Sequence, residues 1–327
     1  MKATIKTLLT KYEIRKTAAQ KQEFQAWLQE IVTQYGYELT EHDYSKTGKN
    51  LIIGDMEASE MILSAHYDTP AHSIIPMTAF CSGWVRYLMG QLVITIPIIG
   101  AFLMLGYNVG YVIGSLASQI NLTQFSITTV ISILILLWFN QTVNGFANRH
   151  NANDNTSGVA TLISILEDLP MEQRAKVCFI FFDEEEKGLR GSQAFLQAHK
   201  EMMEQKPLIN FDCVGNGQHL IFSAKQAFCD SNHYQLLKDS ANQACGTKRN
   251  LVIGTSKEYV QPSDNLFFKQ SVGVGSVHHK PIIGYYMKDI HTSKDTTFDY
   301  ENIEILSTTM LTFISKLGEV EVATVGT

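Results

Sequence analysis

Between Arg86 and Arg149 the chain carries no Asp, Glu, Lys or Arg, an uncharged run of 62 residues from Tyr87 to Asn148. A surface helix of a globular protein carries a polar face, so a run this long needs another environment. Leu88–Val112 is apolar and long enough to cross a bilayer, which takes about 20 residues. Leu122–Val143 is a second candidate with a dense centre at Val130–Phe139, and a short polar link, Ser118–Gln124, separates the two. Gly90, Pro97, Gly100, Gly106 and Gly110 weaken a water-exposed helix but are tolerated in membrane helices. The run predicts an inserted hairpin over 74–148 with two transmembrane helices, about 88–112 and 122–143. The competing expectation is an apolar lid or dimerisation arm buried against protein, on a soluble cytoplasmic chain. Arg86 and Arg149 flank the run while its link is uncharged, so the positive-inside rule places both ends and the rest of the protein on the cytoplasmic side of a membrane. The N-terminal stretch has no apolar run long enough for a signal peptide. Five cysteines without metal-finger spacing fit a reducing compartment.

The remainder reads as an ordinary folded core. Val177–Phe182 is a six-residue apolar strand that runs directly into Asp183, Glu184, Glu185 and Glu186. Four carboxylates at the end of a buried strand repel one another, and a divalent metal would hold them; a solvated acidic turn is the plainer alternative. Residues 1–36 read as helix, with Phe24, Trp27, Leu28, Ile31 and Val32 on one face and Gly36 as the stop. Strands are expected at Leu51–Ile53, Met61–Ala65, Leu208–Val214, Leu220–Phe222, Val272–Val277 and Ile282–Met287, and helices at Gly158–Leu169, from Gly191, at Tyr234–Ala244 and at Ile303–Leu317. Strands alternating with helices predict an α/β sheet between helical layers. A formal net charge of −6 and the lack of a basic patch exclude nucleic acid as a partner.

Metal-competent side chains fall where strands end: His66, Asp68, Asp154, Glu185, Glu186, Asp212 and His291. In open α/β sheets, sites form beyond the carboxyl ends of strands. Imidazole and carboxylate donors in this ratio suit zinc, and sometimes cobalt or manganese.

These residues lie in His66-Tyr67-Asp68, Asp154-Asn155-Thr156-Ser157-Gly158, Glu185-Glu186-Lys187-Gly188-Leu189-Arg190-Gly191-Ser192, Asn210-Phe211-Asp212 and His291-Thr292-Ser293-Lys294-Asp295-Thr296. In that order they resemble metallopeptidase family 28, the co-catalytic two-metal aminopeptidases. Ser263-Asp264 resembles a further motif on the substrate side, although Asn265 stands where many relatives carry histidine. The resemblance implies a three-layer α/β/α fold with a mixed, mostly parallel sheet, its catalytic domain being 1–73 with 149–327. It further implies two divalent metals, most plausibly zinc. Asp154 would bridge them, His66 and Asp212 would complete one site, and Glu186 and His291 the other. Glu185 would be the general base, Asp68 would orient His66 through the far ring nitrogen, and the Asp154–Asn155 peptide would be cis. The Glu-Glu-x-Gly spacing selects Glu185 and Glu186, leaving Asp183 and Glu184 as supporting or exposed groups. Cys213 is expected to pack on the opposite face of its strand from Asp212, and His278 and His279 to lie in a turn away from metal.

The implied activity is removal of the N-terminal residue from peptides with a free amine. Alternatives are a carboxypeptidase, a deacylase, a glutaminyl cyclase (a single-zinc branch of the same fold) or a non-catalytic membrane binding protein. In this chain 87 residues separate His66 from Asp154, far more than the family pattern. Both must meet at one metal, so the insert has to leave and return at nearly the same place, which two spans achieve and one does not.

Overall fold

The computed structural model describes residues 1–73, 77–114 and 122–318. Ten strands form one mixed sheet: β1 (Leu39–Asp43), β2 (Lys49–Ile53), β3 (Met61–His66), β4 (Ala79–Phe80), β5 (Val177–Phe182), β6 (Leu208–Phe211), β7 (His219–Ala224), β8 (Asn250–Thr255), β9 (Ser271–Lys280) and β10 (Gly284–Met287). The order is β1-β2-β5-β3-β6-β9-β10-β4, with β7 on β9 and β8 on β7. The sheet is parallel at its centre, β5–β3–β6–β9, and at β7–β8. It is antiparallel at β1–β2, β2–β5, β9–β10, β10–β4 and β7–β9. The expectation of a mostly parallel sheet is corrected accordingly: short turns such as the one from Lys280 to Gly284 build hairpins, which parallel crossovers cannot.

Helices cover both faces. On one face α1 (Ala3–Lys11), α2 (Ala18–Gln34), α5 (Thr156–Asp168), α9 (Asn232–Cys245) and α10 (Tyr300–Ser315) pack on Leu63, Phe179, Phe181 and Ile209. On the other, α6 (Arg190–Ala198) and α7 (Lys200–Met203) set Phe195 and Met203 against Ile62, Ile180, Phe182 and Leu208. Both faces of β5 are therefore buried, which is why its sequence is a continuous apolar run. A short helix α8 (Gln226–Cys229) precedes α9.

The N-terminal segment is two helices, not one. Thr17 accepts the backbone N–H of Gln20 and Gln20 returns to Thr17, a capping box that starts α2 afresh. The strand expected over Leu208–Val214 stops at Phe211, because Cys213 has φ +56° and leaves the extended region.

The uncharged run forms α3 (Gly83–Gly114) and α4 (Leu122–Asn144), packed on each other. The predicted link Ser118–Gln124 falls largely outside the described residues. Asn108 of α3 donates to Thr129 Oγ1 and accepts from Thr128 Oγ1 of α4, both at 3.0 Å, a polar clamp inside an otherwise apolar pair. Ile127–Asn144 is long and apolar enough to cross a membrane. A straight first span is not what forms: α3 bends by 42° between Gly83–Val93 and Thr95–Tyr111, and only the two parts together reach that standard. Pro97 lacks the N–H that would bond to Val93 and crowds that carbonyl, which accounts for the bend. Most of the exposed large apolar side chains of the protein sit on these two helices.

Both ends of the insert are strapped to one place. Ala71 and Ala147 form an antiparallel bridge, His72 N–H donates to Phe146 O at 2.8 Å, and Asn148 N–H to Pro70 O at 3.1 Å.

Candidate metal centre

The parallel register puts the acids and histidines on one edge. His66 ends β3 level with Phe182 of β5, and Ser64 pairs with Asn210, so Asp183 onward and Asp212 emerge beside His66. Asp154 arrives from the N-terminus of α5, across a cis peptide to Asn155. Asn155 caps that helix by accepting Gly158 N–H at 3.0 Å and anchors the turn by donating to Phe211 O at 2.9 Å. Asp295 accepts the backbone N–H of Asn153 at 2.9 Å and of Asp154 at 3.0 Å, holding the turn from the side of the His291 loop.

Three groups of donor atoms, each within 4.8 Å of one another, result: His66–Asp154–Asp212, Asp154–Glu186–His291 and His66–Glu185–Glu186. Asp154 belongs to two. Its Oδ1 lies 3.5 Å from His66 Nε2 and its Oδ2 lies 3.0 Å from His291 Nε2. His66 Nε2 is also 3.5 Å from Asp212 Oδ1, and His291 Nε2 is 3.3 Å from Glu186 Oε2. His66 Nε2, Asp212 Oδ1 and Glu186 Oε1 are buried without hydrogen-bond partners. Buried polar atoms are nearly always satisfied, so orphaned atoms within these donor groups fit metal ions as their missing partners.

Asp68 sits behind these groups. Its two carboxylate oxygens accept the backbone N–H of Glu185 at 3.1 Å and of Glu186 at 3.2 Å. The carboxylate is 3.4 Å from His66 Nδ1, but the closer partner of that nitrogen is the Asp68 backbone carbonyl at 3.1 Å. Asp68 thus positions the two glutamates as well as the histidine, which is more than its sequence position implies.

The electrostatics follow from crowding. Burial, with Glu186 and Asp212 nearby, pushes Glu185 well above its ordinary value. Burial and Asp154 do the same to Glu186. Burial would raise Asp154 too, but His291 and His66 hold it well below the usual carboxylate range. Burial works against charge on His66 and His291, yet the surrounding carboxylates raise both. Asp264 is pushed up to about 7 and Asp295 to about 8, chiefly by burial.

Asp183 and Glu184 are buried, so the exposed alternative for them is excluded. Asp183 pairs with Lys21 and accepts Lys49 N–H at 3.2 Å; Glu184 pairs with Lys187 at 2.8 Å. Cys213 lines a cavity with Glu185, Asp212 and His291 and packs with Cys81 and Ile221, so it borders the site instead of facing away from it. His278 bonds Asn216 at 3.1 Å, and neither it nor His279 joins the donor groups among the described residues. Asn265 and Asp264 are buried nearby, outside those groups.

Three cations escaped the sequence reading. Arg15 is fully buried, its guanidinium 2.5 Å from Tyr67 O and 3.1 Å from Thr156 Oγ1. Lys16 reaches Val143 O of α4 at 3.2 Å, and Lys21 pairs with Asp183. Their signal, basic residues on either side of a capping box, is local and gives no partner.

A layered α/β/α core with histidines and acids gathered at the carboxyl ends of parallel strands defines a zinc-exopeptidase-like protein. A sequence profile of Peptidase family M28 matches residues 142–314, more than half of the chain, and the chain belongs to that family. No curated protein matches in sequence. Among solved structures, the Legionella pneumophila LapA aminopeptidase is 15% identical, with 96% of this chain and 68% of that chain covered, at a TM-score of 0.54. The Porphyromonas gingivalis glutaminyl cyclase is 15% identical, with 95% and 96% covered, at 0.58. A Zn-dependent exopeptidase from Parabacteroides distasonis is 14% identical, with 95% of each covered, at 0.52. At these identities the likeness is one of fold. Family and site together describe a zinc-dependent, peptidase-type hydrolase.

Proposed function

We propose that the protein is an aminopeptidase that uses two divalent metal ions, zinc by the chemistry of its donors. The observation that carries this is Asp154, which presents one oxygen to His66 and the other to His291, placing a shared carboxylate between two donor sets. His66 and Asp212 would complete one set, Glu186 and His291 the other. When bound, the metal supplies Lewis acidity: it polarises the scissile carbonyl and makes water a competent nucleophile near neutral pH.

The chain's own residues do the rest. Glu185 is held by Asp68 at the edge of both sets, where its carboxylate takes a proton from the attacking water and gives it to the departing amine. Its raised pKa suits the second role, and bound metal opposes that shift. Asp212 and Glu186 offer carboxylate oxygens near which a free α-amine can anchor, restricting cleavage to the first residue. The insert, apolar along its length and only 6% buried over Ile127–Asn144, supports membrane association of α3 and α4. Arg86 and Arg149 at its base support a cytoplasmic catalytic domain.

A second reading, cyclisation of N-terminal glutamine, has the fold of the P. gingivalis glutaminyl cyclase in its favour. The deciding experiment uses the full chain in mild detergent with aminoacyl amides, matched N-blocked amides and glutaminyl peptides, with and without chelator, beside Glu185→Gln. Hydrolysis of free-amine substrates alone, lost on chelation and in the variant, supports the aminopeptidase. Pyroglutamate without hydrolysis moves the assignment to the cyclase. Cleavage of blocked substrates alone moves it to a deacylase or carboxypeptidase.

A further inference from the structure

Two cavities meet at the candidate metal centre and share Met77, Gln91, Glu186 and His291. The smaller, ≈ 170 Å³, reaches Glu185 and Asp212 and is walled by Cys81, Val260, Met287 and Ile290, all buried. The larger, ≈ 460 Å³, runs between the inserted helices. Phe80 and Val93 line one side of it, and Trp138, Phe139 and Val143 the other. Its rim is open, since Val93 is 71% and Phe139 38% exposed.

An exopeptidase must stop the substrate at one end and let it continue at the other. Buried side chains form the inner wall of the small chamber, which has room for one side chain. The open cleft gives the remaining residues a way out. We propose that the cleft between α3 and α4 is the binding subsite for apolar side chains at positions two to four of the peptide, downstream of the scissile bond. The substrates would then be peptides with apolar residues after the first. This rests on the aminopeptidase reading and adds a substrate class to it.

Three observations favour that occupant. The cleft is continuous with the donor groups through Glu186 and His291, so what fills it meets the reacting bond. Its lining carries no charged side chain beyond that floor, so acidic or basic peptide side chains would be desolvated without a partner. The indole Nε1 of Trp138 is buried and has no hydrogen-bond partner, leaving a donor for a peptide carbonyl. The straps at His72–Phe146 and Asn148–Pro70 fix the insert relative to the floor, so the cleft is built into the fold.

The test uses the full chain in lipid nanodiscs and two sets of four-residue peptides with one N-terminal residue, followed by apolar or by uncharged polar residues. Wild type is expected to favour the apolar set by at least tenfold in kcat/KM. Trp138→Ser, which removes the wall, and Thr142→Trp, which fills the cleft, should bring that ratio toward one. A ratio near one in wild type overturns the proposal. A second arm uses Glu185→Gln and an apolar peptide with a benzophenone side chain at position three, with cross-links mapped by mass spectrometry. Cross-links at Phe80–Val93 or Trp138–Val143, displaced by unlabelled apolar peptide, support the subsite even if wild type releases no N-terminal residue, an outcome that sinks only the aminopeptidase reading. Cross-links elsewhere give the cleft to another occupant, such as a lipid chain, and overturn the proposal.

Discussion

The backbone N–H of Ser73 donates to the carbonyl of His291 at 2.7 Å, so the residue where the insert leaves the core bonds directly to a candidate metal ligand. The return is tied to the same loop. Asn148 donates through Nδ2 to Thr292 O at 2.8 Å and to His150 O at 2.5 Å, and its side-chain Oδ1 faces His72 Nδ1 at 3.1 Å. The insert and the His291 loop are one mechanical unit, with His291 in the left-handed region at φ +60°.

That unit makes Asn148 a positioning residue. Asn148→Ala leaves the buried Thr292 carbonyl without this donor, which costs about 1–3 kcal/mol, and also removes the bond to the His150 carbonyl. Affinity for zinc, measured by competition with a chelating dye, should fall along with thermal stability. Lost stability with unchanged metal affinity would show that Asn148 supports the insert alone.

Asp68 should act through its neighbours. Asp68→Asn turns an acceptor of two backbone N–H groups into a group with only one acceptor oxygen. Second-sphere changes of this kind cost about 10–100-fold in metal affinity or activity. The expected result is a drop of that size in metal affinity, with kcat falling by more than KM changes. An Asp68→Asn protein with full metal affinity and full kcat would remove Asp68 from the site.

Lys21 and Asp183 form a buried pair, their side chains 6% and 0% exposed. Removing one partner strands the other, at about 3–5 kcal/mol. Lys21→Met should therefore destabilise strongly in a urea titration, while Lys21→Met with Asp183→Asn should recover most of the loss. Equal stability of the single and double variants would mean that the pair carries no coupling.

How far the sequence could be read depended on whether a residue's role is local. Val177–Phe182 and Met61–Ala65 are apolar throughout because both faces are covered, so their ends, and His66 and Glu185 with them, could be placed in advance. β1 was missed because it lies at the sheet edge with only intermediate or exposed positions, and its sequence LTEHD carries no apolar pattern. β4 is two residues paired to Met287 and Tyr286, a contact more than two hundred positions away in the chain. The break between α1 and α2 was legible, since Thr17-Ala18-Ala19-Gln20 fits the capping-box pattern, but the apolar spacing on either side hid it. The buried partners of Arg15 and Lys21 depend on tertiary placement and leave no trace in the local sequence.

Metal removal should lower stability by an amount that grows with pH. Glu185 and Glu186 lie above their ordinary value of 4.5, Asp264 stands at about 7 and Asp295 at about 8, all with burial as the leading cause. A group with a raised pKa in the folded state holds its proton more tightly there than when unfolded. Its stabilising contribution is complete below the unfolded pKa and is lost as pH rises through the folded one. His66 and His291 have the same sign. Asp154 and Asp68 have depressed values and oppose this only below the ordinary aspartate range, so they do not reverse the trend above about pH 4.5. The chelated protein should therefore lose stability steadily from about pH 5 to pH 8. Bound metal supplies the positive charge that the carboxylates lack, so the zinc-loaded protein should lose less. At one hundred times its dissociation constant a ligand adds about 2.7 kcal/mol, roughly 4 °C in a chain of this size. Melting both forms in detergent across that range should give a gap of that order near neutral pH and a smaller one at pH 5. A gap that is constant with pH would mean that the crowded carboxylates are not what the metal relieves.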